Sequence, residues 1–214
     1  MPLDLTAKRG LLFRITHVAN LPWLLRNGLH AAGGARADPG FVAIGSPDLI
    51  GKRTRRVVPL RPGGVLSDYV PFYFTPKSPM LFNIKTGYNG VAKRPNDDIV
   101  VLVSSCERMA DHGVAMLYTD RHAYITTANW SAAVADLATM IDWDILCRHD
   151  FARSNAYLDK MDRYQAEALA HQHVPVAALL AIGCASERVR PAVEAAIQQA
   201  GANVSAFVRP GWYF

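Results

Sequence analysis

Hydrophobic positions along the chain fall into short runs separated by glycine, proline and asparagine, and most runs are of strand length. Leu11 to His17 is apolar, rich in strand-forming residues and ends at a polar cluster, which predicts a strand. Asn20 is placed to cap the next helix, with Pro22 in its first turn. Leu21, Leu24 and Leu25 form that helix's apolar face, and Asn27-Gly28 stops it. After a Gly/Ala/Pro loop from Ala31 to Gly40, a strand is expected over Phe41 to Gly45, and Ser46-Pro-Asp opens a helical turn. Val70 to Phe74 is aromatic and β-branched and reads as a buried strand that Pro76 and Pro79 prevent from continuing. Asn83 to Pro95 reads as loop or helix end. The unbroken apolar run of Asp98 to Ser104 predicts a strand covered on both faces. A short helix over Cys106 to His112 and a strand over Val114 to Tyr118 follow, then an amphipathic helix over Ser131 to Met140. A helix from Pro191 to Ala200 and a strand with an aromatic end, Val204 to Phe214, close the chain. Short strands with interspersed helices give an α+β fold.

Several polar groups interrupt this pattern where chemistry could sit. His17 and Asn20 stand at a strand-to-helix junction, from which side chains can point into a cleft; a core histidine and a helix cap are the plainer alternatives. Gly51-Lys-Arg-Thr-Arg-Arg56 carries four cations in six residues. It is either a solvated basic turn or a site with one guanidinium turned inward to hold an anion. Tyr73 precedes the polar exit Lys77-Ser78, an arrangement that suits a flat ring with a polar substituent as well as it suits a core strand with a surface turn. His122 lies in the polar turn Thr119-Asp-Arg-His. Between Asp142 and Asp162, cations and rings alternate, among them Arg148, Arg153 and Tyr157, which fits single-stranded nucleic acid or an ordinary surface. Glu167, flanked by Ala166 and Ala168, is a carboxylate that burial could tune.

Longer strings carry a resemblance. Tyr73-Phe-Thr-Pro-Lys-Ser78 resembles the Tyr-Phe-Ala-x-x-x-Ser segment of ADP-ribosyltransferases, and Asp68-Tyr-Val-Pro-Phe-Tyr-Phe-x-Pro-x-Ser-Pro-Met-Leu81 is similar to the DarT family of bacterial DNA ADP-ribosyltransferase toxins. So are Ile15-Thr-His-Val-Ala-Asn-Leu-Pro, Asp48-Leu-x-x-x-Arg53 with Val58-Pro, and Arg163-x-x-Ala-Glu167-x-Leu followed by Val174-Pro. Ala170 stands where many relatives have a larger apolar residue. The resemblance runs from about Leu12 to Phe214 and is weakest between Asn83 and Tyr164. It implies an ADP-ribosyltransferase-like split sheet with flanking helices, over a single domain of residues 1–214. It further implies that NAD is a substrate, that a base in single-stranded DNA, thymine, is the acceptor, and that a macrodomain antitoxin reverses the mark. The implied catalytic residues are Arg53 and Glu167. Those implied to bind NAD are His17, Asn20, Arg53, Tyr73 and Ser78, and those facing DNA are His122, Arg148, Arg153 and Tyr157. Arg55 and Arg56 compete with Arg53 for the inward place.

Composition narrows the remaining classes. The chain has 214 residues, half of them hydrophobic, enough for one substantial core, and its net charge of +5 suits a phosphate-bearing partner. Cys106, Cys147 and Cys184 are far apart with no Cys-x-x-Cys, which argues against a zinc site or a disulfide framework and for a reducing cytoplasm. No Gly-x-Gly-x-x-Gly precedes a helix, so a Rossmann cofactor site is not expected. The N-terminus lacks a signal peptide's apolar run, and no stretch reaches the roughly 18 apolar residues of a membrane span. Two other functions stay open: a non-catalytic single-strand-binding module, and an ADP-ribosyltransferase acting on guanine, RNA or protein.

Overall fold

The computed structural model describes residues 4–152, 155 and 157–214. Its ten strands are β1 (Leu11–His17), β2 (Leu29–His30), β3 (Tyr69–Tyr73), β4 (Ile99–Ser105), β5 (Met116–Thr119), β6 (Trp130–Ser131), β7 (Glu167–His171), β8 (His173–Val174), β9 (Ala181–Cys184) and β10 (Ser205–Val208). The helices are α1 (Leu21–Asn27), α2 (Pro47–Arg53), α3 (Pro79–Thr86), α4 (Cys106–Asp111), α5 (Leu137–Met140), α6 (Trp143–Arg148), α7 (Lys160–Arg163) and α8 (Arg190–Ala200). Eight strands form one sheet in the order β10-β9-β4-β1-β3-β7-β5-β6, and β2 pairs with β8 outside it. All pairs are antiparallel except β9 with β10. This is the expected α+β architecture, a large sheet with flanking helices.

Burial explains the centre of the sheet. All seven residues of β4 are buried, as its apolar run requires, and it pairs with β1 along that strand's whole length. On the other side β1 meets β3 at one register point only, Phe13 opposite Tyr73, and beyond it the two strands separate. The sheet is therefore split at this seam, and the split opens beside the ladder of β3 with β7.

Two expected elements differ: one is absent and one is shortened. Phe41 to Gly45 is an irregular segment. The Asn20 side chain takes its backbone: Oδ1 accepts from Val42 N–H at 2.8 Å and Nδ2 donates to Val42 C=O at 3.1 Å. Asn20 therefore does not cap α1 with its side chain, although it occupies the cap position. The helix expected over Ser131 to Met140 shrinks to α5. Ser131 instead joins β6, and its hydroxyl bonds to Asp136 at 2.6 Å and accepts from Ala133 N–H at 2.9 Å, local bonds that compete with a helix. Among the described residues no helix is long and apolar enough to cross a membrane.

Candidate active site

A cavity of about 500 Å³ lies at the seam. Arg14, Thr16 and Asn20 line it from β1 and the turn after it, Pro71 and Tyr73 from β3, Arg53 from the end of α2, and His122 and Glu167 from the far side. Tyr73 and Glu167 are directly opposed in the β3–β7 ladder, so their side chains leave the same face of the sheet. Ser46 and Pro47 begin α2, with the Ser46 hydroxyl accepting from Leu49 N–H, and Arg53 is the helix's last residue.

Arg53 and Glu167 form the central contact. Arg53 Nη1 donates to Glu167 Oε1 at 3.1 Å and Oε2 at 3.2 Å, across 114 residues of sequence. The Ala123 amide also donates to Oε2 at 3.2 Å. That amide is aimed by its turn: Asp120 accepts from Asn129 N–H and Nδ2, both at 2.9 Å, and the His122 ring accepts from Tyr124 N–H through Nδ1. Thr119 fastens the base of the glutamate, its hydroxyl accepting from Glu167 N–H at 3.3 Å and donating to Arg121 C=O at 2.7 Å. Glu167 is only 1 % exposed. Burial alone would push its carboxyl up; Arg53, His122 and the Ala123 amide outweigh that and hold it below the usual carboxylate range. Burial and the Glu167 charge push the Tyr73 phenol up, so its hydroxyl keeps its proton. A second Arg53 nitrogen, Nη2, is buried with no partner among the described residues, a donor held ready for a ligand.

The structure thus brings Asn20, Arg53, Tyr73, His122 and Glu167 to one cavity. Of the three competing arginines, Arg53 points inward, Arg55 is exposed, and Arg56 reaches Ile125 C=O at 3.4 Å. His122 is buried, not a surface turn histidine. His17 does not line the cavity: its ring accepts from Ala19 N–H at 3.1 Å and faces Arg94 at 3.3 Å. Ser78 is fully buried two residues before the lining residue Met80, and its hydroxyl caps α3 by accepting from Leu81 N–H. Arg148 is on the surface, paired with Asp144 at 3.5 Å. The Tyr157 hydroxyl bonds to Asp142 at 2.5 Å, and Arg163 lies 5.7 Å from its ring centre. Arg153 lies outside the described residues. Sequence reasoning passed over Arg14, whose only signal is a lone cation inside an otherwise strand-forming run, and Thr119. Among the described residues no group of three or more His, Cys, Asp or Glu is gathered to hold a metal ion.

Known proteins resemble this chain over its whole length. A family profile described as "ssDNA thymidine ADP-ribosyltransferase, DarT" matches residues 13–214. A DNA ADP-ribosyl transferase of Escherichia coli O127:H6 is 45% identical over 211 residues, covering 99% of this chain and 96% of its own. One of Thermus sp. 2.9 is 33% identical, covering 95% of each chain. Solved structures of Thermus sp. 2.9 DarT superpose closely. The complex with ADP-ribosylated ssDNA does so with a TM-score of 0.89 at 29% identity over 100% of both chains. The complex with NAD+ gives 0.85 at 30% identity over 97% of this chain and 98% of that one. The chain therefore belongs to the DarT family of ssDNA thymidine ADP-ribosyltransferases, enzymes that move ADP-ribose from NAD onto DNA.

Proposed function

We propose that the Arg53–Glu167 pair is the catalytic centre for transfer of ADP-ribose from NAD to thymine in single-stranded DNA. The observation that carries this is the pair itself, an ionised carboxylate and a guanidinium held with Tyr73 in one cavity at the split of the sheet. In the reaction the bond between nicotinamide and ribose breaks and nicotinamide leaves with its electron pair, a bond from the ribose to a ring nitrogen of the base forms, and the proton of that nitrogen passes to water. Positive charge develops on the ribose as nicotinamide departs, and Glu167, anionic across the neutral range, stabilises it. A carboxylate of lowered basicity is better suited to this than to deprotonating the base. Tyr73 provides the surface for the nicotinamide ring, and Asn20 ties the neighbouring wall in place. His122, whose Nδ1 is occupied by Tyr124 N–H, presents Nε2 to the acceptor side. His17 and Ser78 shape the site from behind, through the Arg94 contact and the α3 cap. Tyr157 and Arg163 brace the segment before Glu167, while Arg148 is left for DNA phosphates. An unpaired strand as substrate avoids the cost of extruding a base, a few kcal/mol.

The chain acts as one catalytic domain, in the cytoplasm, as a toxin whose mark a macrodomain partner removes; the likeness to DarT toxins supports this part. The decisive experiment incubates the protein with NAD and thymine-containing oligonucleotides and follows the slower-migrating product. Glu167→Gln, folded by its melting curve, is expected to lose about 10²- to 10³-fold in rate. Unchanged product would remove Glu167 from the chemistry. Modification of guanine-only or RNA oligonucleotides in place of thymine would reassign the acceptor. Salt-sensitive DNA binding without turnover would replace the enzyme with a binding module.

A further inference from the structure

The turn that points the Ala123 amide at Glu167 is held at one residue from two directions. Arg121 C=O accepts from the Thr119 hydroxyl at 2.7 Å, and that hydroxyl accepts from Glu167 N–H at 3.3 Å, so the Arg121 backbone is tied to the base of the glutamate. Its side chain forks onto the buried Asp120: Nε donates to Oδ1 at 3.2 Å and Nη2 to Oδ2 at 3.1 Å. Asn129 gives Asp120 two further bonds, so the carboxylate closes the turn from both ends. The same Arg121 Nη2 lies 3.5 Å from Asp159. Asp159 flanks the start of α7, the helix that leads into Glu167, and also accepts from Arg163 Nε at 2.9 Å. Among the described residues, Arg121–Asp159 is the one ion pair that joins the segment from Asp142 to Arg163 to the turn from Thr119 to Asn129. The Arg121 side chain is 15% exposed and that of Asp159 33%, so their attraction is screened less than between two surface charges. The turn is already closed by Asp120 and Asn129. The reach to Asp159 adds nothing to that closure and instead fixes where the turn stands relative to α7.

We propose that Arg121 is a positioning residue for the transfer reaction: by clamping the turn to α7 it keeps the Ala123 amide on Glu167, so the carboxylate is held in place by the seating of the segment from Asp142 to Arg163. Ala123 N–H meets Oε2 at 3.2 Å, at the long end of the range for such a bond, where a small movement of the turn breaks it. Glu167 is then hydrogen-bonded by Arg53 alone, on one side. A shift of about 1 Å at a reacting group is enough to cost about a hundredfold in rate. Arg121 touches neither NAD nor the base in this scheme and acts only through Ala123 and Glu167. The inference rests on the reading that Glu167 is the catalytic carboxylate.

The test measures transfer to a thymine-containing oligonucleotide, as kcat and as KM for NAD, between about pH 4.5 and 8. It compares wild type, Arg121→Met, Arg121→Lys, Asp159→Asn and the double variant of Arg121→Met with Asp159→Asn. Arg121→Met should lower kcat about ten- to hundredfold and leave KM for NAD within about twofold. Asp159→Asn should show part of that loss, and the double variant should be no worse than Arg121→Met alone. Arg121→Lys keeps the charge without the fork and should fall between wild type and Arg121→Met. In each variant the acidic limb of kcat should move to higher pH, because a carboxylate that has lost a donor holds its charge less well. Wild-type kcat in the folded variants would overturn the proposal. So would a loss of kcat with the limb unmoved, or additive losses in the double variant, both the mark of a brace that serves stability alone. Arg121→Met leaves buried Asp120 short of two donors; if it does not fold, Asp159→Asn keeps the fork and carries the test through its acidic limb. Glu167→Gln, run alongside, separates the two failures. Full activity there overturns the reading of the site, whereas its loss with the Arg121 and Asp159 variants unaffected overturns only the role of Arg121.

Discussion

Glu167 is stable as an anion only because of what faces it, and this makes its protonation an observable of the fold. Its folded pKa lies below the unfolded value of about 4.3. The sign follows: its contribution to stability is fully present above that value and is lost as pH falls through the lowered folded pKa. Replacing Arg53 by Met inverts the balance, because burial, which raises the carboxyl, is then opposed only by His122 and the Ala123 amide. In Arg53→Met the folded pKa is expected to rise above the unfolded one, so stability is favoured at low pH and lost as pH climbs through the raised value. Melting temperatures at pH 5 and pH 7.5 check this: the penalty of the substitution should approach about 3 kcal/mol at pH 7.5, where a buried carboxylate is left unpaired, and shrink at pH 5. A penalty independent of pH would mean that Glu167 does not depend on Arg53 for its charge. The transfer rate of the same variant should fall at least as far as its stability would suggest, since Arg53 Nη2 is also lost to the ligand.

At the scale of elements, the wall of the cavity from Ala31 to Gly45 has no strand to hold it, and Asn20 does that work with both faces of its amide. Asn20→Ala removes both bonds to Val42 and the contact to Thr16 Oγ1 at 3.0 Å. It should cost about 1–3 kcal/mol and raise the KM for NAD more than it lowers kcat, because the wall binds ligand and takes no part in bond making. Steady-state kinetics at saturating oligonucleotide separates the two; a fall in kcat alone would place Asn20 nearer the chemistry. Gly28 sets the other end of this wall. It has φ +81°, and a Cβ there would strike the His173 ring and Val174 C=O, so Gly28→Ala should destabilise by about 2 kcal/mol or more in a denaturant titration. The same elements show what the chain's pattern reveals and what it hides. Strand β4 was legible because burial on both faces writes an unbroken apolar run, and helix α8 because burial on one face writes a periodic signal. Phe41 to Gly45 has the residues of a strand, yet its backbone is held at Val42 by the Asn20 side chain and not by a strand edge, a fact that exists only in three dimensions. Ser131 to Met140 has helical periodicity, yet a serine hydroxyl bonded to Asp136 diverts its first half. The site was legible where motif strings carry it, at Arg53, Tyr73 and Glu167. Arg14 was not, since nothing local distinguishes a cation lining a cavity from one in solvent.

Across the whole molecule, the Arg53–Glu167 pair depends on distant chain meeting correctly, and the C-terminal residues show how that meeting is secured. Tyr213 is buried, its hydroxyl shared between Ile99 C=O at 3.1 Å and Gly183 C=O at 2.9 Å, which joins the chain end to β4 and β9. Trp212 packs edge-on against Phe13 of β1 at 5.6 Å between ring centres, and Phe13 is the residue opposite Tyr73 at the seam. Phe214 lies against Phe82 of α3 and Phe151 of the segment before Glu167, at 5.4 Å and 5.2 Å. Tyr213→Phe keeps the ring and removes only the hydroxyl, leaving two buried carbonyls short of a donor. A loss of about 1–3 kcal/mol is expected, which at this chain length lowers the melting temperature by roughly 2–4 °C for each kcal/mol. None of this alters the cavity, so well below the transition kcat and KM should stay within about twofold of wild type. NAD at a hundred times its dissociation constant stabilises any form that keeps the site by about 2.7 kcal/mol, so it should raise the melting temperatures of wild type and Tyr213→Phe in parallel. Scanning calorimetry with and without NAD measures both shifts at once. Parallel shifts would mean that the chain end stabilises the sheet as a unit while the cavity is set by the seam; a missing shift in the variant would mean that the C-terminal contacts reach through Phe13 to the ligand.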